Sequence, residues 1–286
     1  MANLKEIRNR ISSVSSTMQI TSAMKMVSAA KLKKAQDAIT AMRPYSDKLT
    51  ELLQSLSASL EGDSGSKFAE QREVENVLIV AITSNRGLCG AFNSNIIKEV
   101  TRLTKDSYAN QEVSYLAIGK KANDAFAKTD KVIDNKSDVF DNLTFDNVAE
   151  VAQMLMDTFV NGDYDKIVLV YNKFKNAATQ EIMTEQFLPI VPMEGESSSS
   201  ADYIFEPSKE QIVEQLIPKS LKTQLFKSVR DSFASEHGAR MTAMHKATDN
   251  ATELRDQLKL TYNKARQAAI TNEILEIVGG AEALNS

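Results

Sequence analysis

Residues 4–42 read LKEIRNRISSVSSTMQITSAMKMVSAAKLKKAQDAITAM and contain neither glycine nor proline. A seam of residues recurs through this stretch at alternating steps of three and four: Leu4, Ile7, Ile11, Val14, Met18, Thr21, Lys25, Ser28, Leu32, Ala35, Ile39 and Met42. This spacing is typical of a coiled-coil helix. Pro44 is predicted to kink the helix or to start a new segment, and leucines continue the pattern to Gly62. We therefore predict a coiled-coil helix over residues 1–61.

A matching pattern ends the chain. No proline follows Pro218, and Gly238 is the only glycine between it and Gly279. The predicted seam here is Phe233, His237, Arg240, Met244, Ala247, Ala251, Leu254, Leu258, Thr261, Ala265, Ala268, Asn272 and Leu275. A helix of sixty residues extends about 90 Å, and a lone helix with an apolar stripe is marginal in water. The helices of residues 1–61 and 209–286 should therefore pack on each other.

Polar gaps in the two seams predict how the helices pair. The first gap contains Thr21, Lys25 and Ser28, and the second contains His237 and Arg240. If the gaps face each other in an antiparallel pair, the numbers of paired residues sum to about 263. The last twenty-odd residues would then project beyond the pair as a lone helix.

The middle of the chain has a different pattern. Val77–Ile82, Val113–Ile118 and Ile167–Tyr171 are short apolar runs, as expected of buried parallel strands. They alternate with amphipathic stretches that suit helices, at Asn95–Lys105, Lys120–Ala127 and Phe145–Val160. Thr179–Ile190 is predicted as a further strand that could pair antiparallel at the sheet edge. The expected fold is a mixed α+β and α/β architecture: an antiparallel two-helix coiled coil of the chain ends plus a central Rossmann-like α/β domain over residues 74–205.

Patterns that indicate catalysis are weak. The SNRGLCG segment at Ser84–Gly90 follows a strand but fits neither GxxxxGK[ST] nor GxGxxG, so a tight strand-to-helix turn is favoured over a phosphate loop. Cys89 is favoured as a packed small residue over an activated thiol. His237 and His245 lie eight residues apart, whereas HExxH spaces them by four, so we expect no zinc site. We predict no cofactor, no metal ion and no enzymatic activity for this chain.

Charge is segregated along the chain. The total is −4, but residues 1–43 contain eight basic and two acidic residues, a net charge of +6. Such a segment suits an acidic partner. Lysines near residue 31 have no interleaved aromatic residues to stack on bases, so nucleic-acid binding is disfavoured. Lys25 and Arg240 occupy seam positions, where they either lean outward toward a partner's carboxylates or extend out of the coiled coil into water.

Four quoted stretches together resemble the gamma subunit of F-type ATP synthases of the bacterial type. They are IRNRISSVSSTMQITSAMKMVSAAKLKKAQ (7–36), TSNRGLCGAFN (83–93), ASEHGARMTAMHKATDNA (234–251) and YNKARQAAITNEILEIVGGAEAL (262–284). The resemblance implies a central rotor shaft, one copy per complex, that couples ion-driven rotation of the c ring to conformational change in three alpha and three beta subunits. The nucleotide chemistry would belong to the beta subunits. The chain would then be a peripheral protein at the cytoplasmic face of the plasma membrane, with no span of its own.

The resemblance also implies roles for particular residues. Contacts with the beta and alpha subunits would fall on Met24, Lys25, Arg240, Arg266, Gln267 and Glu273. An apolar bearing would be formed by Ile270, Ile274 and Ile277. A foot against the c ring and the epsilon subunit would include Tyr203, Phe205 and Glu206. Chloroplast members carry a cysteine-containing regulatory insertion, and the single Cys89 here offers no such thiol switch.

Two other functions remain open on the residues alone. A non-catalytic coiled-coil adaptor or nucleic-acid-binding rod would retain nucleic acid at moderate salt. A small nucleotide-binding α/β enzyme with helical extensions would turn over substrate as an isolated chain.

Overall fold

The computed structural model describes residues 4–57, 67–129, 131–190 and 209–285. The chain divides into two compact units. The end unit combines Met1–Ser28 with Met241–Ser286, and the sheet unit is Ala29–Arg240. Two long helices, α1 (Leu4–Ser57) and α5 (Lys209–Asn285), each contribute to both units.

Both long helices contain an internal proline. Pro44 lies within α1 and Pro218 within α5, and helical structure continues on both sides of each. The prediction that Pro44 could start a new segment is therefore wrong. A proline removes one backbone hydrogen bond, and buried neighbours offset that loss here, since Ser46 and Leu49 are both about 5% exposed.

In the end unit, α1 and α5 run antiparallel, as predicted. The Arg8 guanidinium donates to the Tyr262 hydroxyl at 2.8 Å, and the hydroxyls of Thr21 and Thr248 lie 2.8 Å apart. Along these contacts the residue number increases on α1 while it decreases on α5. The paired numbers sum to about 270, so the predicted offset of 263 is wrong by about one heptad.

The seam of α5 also differs from the prediction at alternate positions. Met244, Ala251 and Leu258 lie inward as expected, but Leu254 is 46% exposed. Thr248, Arg255 and Tyr262 occupy the places predicted for Ala247, Leu254 and Thr261, as their cross-helix contacts show. The sequence pattern placed Leu254 in the seam because leucine is apolar. In the structure, the side chains that reach α1 are those one residue further along α5, which are longer or form hydrogen bonds.

The sheet unit contains five strands in the order β3-β2-β1-β4-β5. Their bounds are β1 Asn76–Ile82, β2 Glu112–Ile118, β3 Val132–Asn135, β4 Lys166–Phe174 and β5 Gln180–Leu188. The first four strands are parallel, and β5 pairs antiparallel with β4 at the edge, as predicted. In register, Val77 of β1 lies between Val113 of β2 and Lys166 of β4. Strand β3 was not predicted.

Helices cover both faces of the sheet. On one face lie α2 (Phe92–Arg102, continued by a π-helical turn at Leu103–Ser107) and α3 (Lys120–Phe126). On the other face lie α4 (Phe145–Val160) and the first part of α5. Leu221, Leu225 and Val229 of α5 are almost fully buried in this second core. Each such side chain contributes about 2 kcal/mol of burial free energy, so α5 is part of the domain's core.

Within the described ranges, two 3₁₀ turns complete the set of elements, at Ala127–Thr129 and Ser137–Phe140. Helix α5 approaches the β4–β5 turn closely at Gly238. A Cβ atom built there would lie 3.1 Å from the carbonyl oxygen of Ala177. The absence of a side chain at Gly238 therefore lets α5 lie directly on the end of the β4–β5 hairpin.

Candidate functional site

The loop Thr83–Asn93 follows β1 at the carboxyl end of the parallel strands. Strand order reverses between β1 and β4, because the connection after β1 leads to β2 on one side while β4 lies on the other. In open α/β sheets such a switch point forms the crevice where nucleotides bind. The contacts of the loop at this crevice therefore bear on whether the domain could bind a nucleotide there.

Side-chain hydrogen bonds hold the loop in one compact turn. The Ser84 amide donates to the Asn93 Oδ1 at 2.9 Å, and the Asn93 Nδ2 donates to the Ser84 hydroxyl at 2.8 Å. Asn172 of β4 donates to the carbonyl of Phe92 at 3.1 Å. Leu88 adopts a φ of 61° and is 63% exposed, so its side chain points away from the packed base of the loop.

The first three loop residues cap the amino end of α3. The amides of Lys120, Lys121 and Ala122 donate to the Asn85 Oδ1 (3.0 Å), the Ser84 carbonyl (3.1 Å) and the Thr83 Oγ1 (2.9 Å). These are the unpaired amides that a phosphate group uses at a helix start. Because protein oxygens already accept from them, the start of α3 is not a phosphate cradle.

Arg240 of α5 fastens the loop to the helix. Its Nε donates to the Gly87 carbonyl at 3.2 Å, and its Nη2 donates to the Arg86 carbonyl at 3.1 Å. Its Nη1 lies 2.6 Å from the Glu236 Oε1. Arg240 is 7% exposed and Glu236 is similarly buried. We call Arg240, Glu236 and the carbonyls of Arg86 and Gly87 the arginine clamp.

The arginine clamp corrects one orientation predicted from the sequence. Arg240 was expected to lean outward toward a partner's carboxylates or to extend into water, and it does neither. A buried guanidinium is tolerated because three acceptor contacts compensate for its lost hydration. The i, i+4 spacing of Glu236 and Arg240 was the one local signal of this pair.

Burial shifts the ionisation of the groups around the arginine clamp. It raises the pKa of the Glu236 carboxyl, and Arg240, Lys31 and Arg86 oppose that rise. It also raises the pKa of the Cys89 thiol, so Cys89 is a packed residue and not an activated nucleophile. Burial together with Arg240 and Lys31 lowers the pKa of His237 to about 4.

The neutral His237 predicts an acid-sensitive stability. Its folded pKa of about 4 lies below the ordinary value of 6.5, so between these values only the unfolded chain binds the proton. Stability is therefore fully present above pH 6.5 and decreases by about 3 kcal/mol as the pH falls to 4.

Urea unfolding of the full chain at several pH values tests this expectation. Between pH 6.5 and pH 4, the free energy of unfolding of the His237→Gln variant should decrease much less than that of the native chain. His245→Gln removes the other imidazole, which is exposed beside Asp249, and should retain the decrease. Equal pH slopes for native protein and His237→Gln would contradict the assignment.

The other predicted contact residues lie in the end unit. Met24 and Lys25 are both half-buried on α1. Arg266, Gln267 and Glu273 are exposed on α5. The helical spacing places Arg266, Ile270, Glu273 and Ile277 on one stripe, so charged and apolar side chains alternate along it.

The three isoleucines of the predicted bearing are strongly exposed. Ile270, Ile274 and Ile277 are 47%, 54% and 67% exposed, and Leu275 and Val278 beside them are exposed as well. This apolar surface lies beyond Tyr262 of α5, which contacts Arg8 near the start of α1. The surface is therefore past the part of α5 that pairs with α1. An apolar surface of this extent on a helix is typical of a contact with another protein. The predicted foot residues Tyr203, Phe205 and Glu206 lie outside the described residues.

Across the described ranges, no group of three or more His, Cys, Asp or Glu residues is placed to hold a metal ion. In the same part of the chain, every helix is too short or too polar to cross a membrane.

Comparison with known proteins identifies the family. A family model described as ATP synthase matches residues 3–284. The ATP synthase gamma chain of Flavobacterium psychrophilum is 76% identical over 99% of both chains, and that of Flavobacterium johnsoniae is 74% identical over the full length of both.

Solved structures agree with the sequence relatives. A chain from the central stalk and c ring of the Tetrahymena thermophila mitochondrial ATP synthase is 25% identical, with a TM-score of 0.60 over 80% of this chain and 99% of that one. A chain from the Euglena gracilis mitochondrial enzyme, in its OSCP/F1/c-ring assembly, shares the fold at 24% identity, with a TM-score of 0.73 over 98% of this chain and 94% of that one. The chain therefore belongs to the family of ATP synthase gamma chains, which are central-stalk subunits of that complex.

Proposed function

We propose that this chain is the rotor shaft of an ATP synthase, coupling ion-driven rotation of the c ring to conformational change in three alpha and beta pairs. The observation that carries the proposal is the end unit, in which the two chain ends pack antiparallel and α5 continues as an exposed helix. Two paired helices resist bending and twisting better than one, as torque transmission requires.

The sheet unit supports a mechanical role and not a catalytic one. At the β1–β4 switch point the Thr83–Asn93 loop caps α3, and the arginine clamp fastens this loop to α5. A domain held in this way adds stiffness to the helix it binds. Nucleotide chemistry would then occur on the beta subunits.

The proposed contact surfaces are those that the family resemblance implies, and the exposure of their residues supports them. We assign Arg266, Gln267 and Glu273 to contacts with the alpha and beta subunits, and the exposed isoleucines Ile270, Ile274 and Ile277 to an apolar bearing. Apolar contacts are non-directional, so they hold the helix without fixing its angle. Met24 and Lys25 would face the beta subunits from α1. Arg240 would influence such contacts indirectly, by holding the loop that carries the exposed Leu88.

The remaining partners are assigned on family grounds. The epsilon subunit and the c ring would meet the foot around Tyr203, Phe205 and Glu206. The complex would place one copy of this chain at the cytoplasmic face of the bacterial plasma membrane.

Reversing the charge of Lys25 tests the proposed contact with the beta subunits. The segment of residues 1–43 carries +6, which suits an acidic partner segment and makes the contact sensitive to salt. In complexes reconstituted from purified subunits, Lys25→Glu should lower ATP-driven rotation and coupled synthesis roughly three- to tenfold at low salt. Lys25→Gln should give a coupled rate between those of the native complex and Lys25→Glu. The differences among the three rates should decrease in high salt.

The control is Lys98→Glu, which makes the same charge change on an exposed residue of α2. It should leave the coupled rate within about twofold of the native complex. Unchanged coupling in Lys25→Glu at every ionic strength would refute the contact. Turnover of nucleotide by the isolated chain would refute the rotor assignment itself.

A further inference from the structure

A pair of threonine hydroxyls lies inside the helix pair of the end unit. Thr21 is 8% exposed, and its Oγ1 lies 2.8 Å from the Oγ1 of Thr248. Each hydroxyl also lies within hydrogen-bond distance of a carbonyl on its own helix, Thr21 of Met18 (3.1 Å) and Thr248 of Met244 (2.8 Å). Two protons serve three contacts, so one hydroxyl donates across the seam while the other donates to its own helix.

The apolar positions alone do not select one pairing of the two helices. A heptad pattern repeats every seven residues, so sliding α5 by seven residues again places seam residues opposite seam residues. The offset predicted from the sequence differs from the observed one by about this amount. A feature other than the apolar repeat therefore distinguishes the two registers.

Either slip by one heptad separates the two threonines. In one direction Thr21 faces Met241 and Thr248 faces Val14, so buried hydroxyl oxygens oppose apolar side chains. In the other direction Thr21 faces Arg255 and Thr248 faces Ser28. In the first direction neither threonine oxygen has a donor, and a buried acceptor without a donor is costly. In the second direction donors remain, but the guanidinium of Arg255 would have to be buried beside Thr21, which is 8% exposed.

We propose that the Thr21–Thr248 pair selects the register of the two-helix shaft. Its role matches that of a single polar residue at a core position of a coiled coil, which specifies alignment more than it adds stability. The bond from Arg8 to Tyr262 follows two heptads away and supports the same register, although it is exposed and contributes little. A slip of seven residues would move the exposed end of α5 by about 10 Å along α1.

Disulfide trapping in the full chain reads the register directly. Extending the pairing by ten residues on each helix places Ile11 opposite Leu258, whereas the slipped registers place it opposite Ala251 or Ala265. A disulfide needs Cα atoms within about 7 Å, so a cysteine at position 11 reports which of these residues it faces. The three cysteine pairs are made in a Cys89→Ala background, since Cys89 is the only native cysteine.

With both threonines present, the 11/258 pair should close on the order of tenfold more than either slipped pair. In Thr21→Val/Thr248→Val the advantage should fall to about threefold or less, because valine keeps the shape and removes both hydroxyls. The matched control, Thr17→Val/Thr252→Val, removes two hydroxyls that bond only their own helices and should keep the native preference.

Single variants cover the case in which the double valine variant does not fold. Thr21→Val and Thr248→Val each break the pair while leaving the rest of the seam intact, and each should release the slipped crosslinks. A folded valine variant that still crosslinks solely through the 11/258 pair overturns the proposal. Slipped crosslinking that approaches the yield of the 11/258 pair while both threonines are present also overturns it. A general stabilising role, by contrast, would change the unfolding midpoint and leave the crosslinking pattern unchanged.

Discussion

Arg240→Met should lower the free energy of unfolding of the chain by about 3–5 kcal/mol. The substitution leaves the Glu236 carboxylate buried without its partner at 2.6 Å. It also removes the donors that the carbonyls of Arg86 and Gly87 accept from. Removing one member of a buried pair is costly because the remaining charge has neither water nor a counter-ion. The urea midpoint of the full chain measures the loss.

Three variants separate the charge from the packing. Arg240→Met/Glu236→Gln should recover part of the loss, since no buried charge then remains. Arg240→Lys keeps the charge but lacks the planar fork that reaches two carbonyls, so it should be intermediate. Arg10→Met breaks an exposed ion pair with Glu6 and should cost less than about 1 kcal/mol. If Arg240→Met were as stable as Arg10→Met, the arginine clamp would have no structural role.

The strands show how far local pattern predicts the fold. Val77–Ile82 and Ile167–Tyr171 were recognised because strands buried on both faces read as unbroken apolar runs. Strand β3 was missed because it has only four residues, VIDN, and two of them are polar. It is an edge strand half-exposed to water, and its pairing with β2 is what makes it a strand.

The long helices were predicted, but their alignment was not. Periodicity predicted two amphipathic helices, and the hypothesis that they pair antiparallel is confirmed by their contacts. Periodicity could not distinguish offsets that differ by seven residues, and it selected Leu254 over Arg255 because leucine is more apolar. Contacts such as Thr21 with Thr248 depend on residues more than two hundred positions apart, which a single sequence does not pair.

The arginine clamp illustrates the same limit at the candidate site. The sequence predicted a turn at Ser84–Gly90, and the structure has a compact turn there. Nothing local indicated that the Arg86 carbonyl receives a bond from Arg240, which lies 154 positions later. The contribution of α5 to the sheet core was missed for the same reason.

Gly119→Ala should destabilise the chain by about 3–5 kcal/mol, through the junction of β1, β2 and α3. Gly119 has a φ of 117°, which residues with a Cβ rarely adopt. A Cβ there would lie 2.2 Å from the carbonyl oxygen of Thr83, well inside contact distance. Backbone strain and steric overlap would therefore both lower the free energy of unfolding of the variant.

The Thr83 backbone cannot move aside without further loss. Its amide donates to the Ile118 carbonyl at 2.8 Å, and its Oγ1 accepts from the Ala122 amide at 2.9 Å. A shift large enough to accommodate a methyl group would break the end of the β1–β2 ladder and uncap α3. Hydrogen exchange of the Lys121 and Ala122 amides should accelerate in the variant, alongside a lower urea midpoint.

Gly87→Ala is the matched control in the neighbouring loop. A Cβ at Gly87 meets nothing within 4 Å, and the carbonyl that Arg240 binds is retained. It should change stability by less than about 0.5 kcal/mol. If Gly119→Ala were equally mild, the close approach of Gly119 to Thr83 would not hold in solution. The loop would then owe its position to the arginine clamp alone, and Arg240→Met should release the Lys121 and Ala122 amides as well.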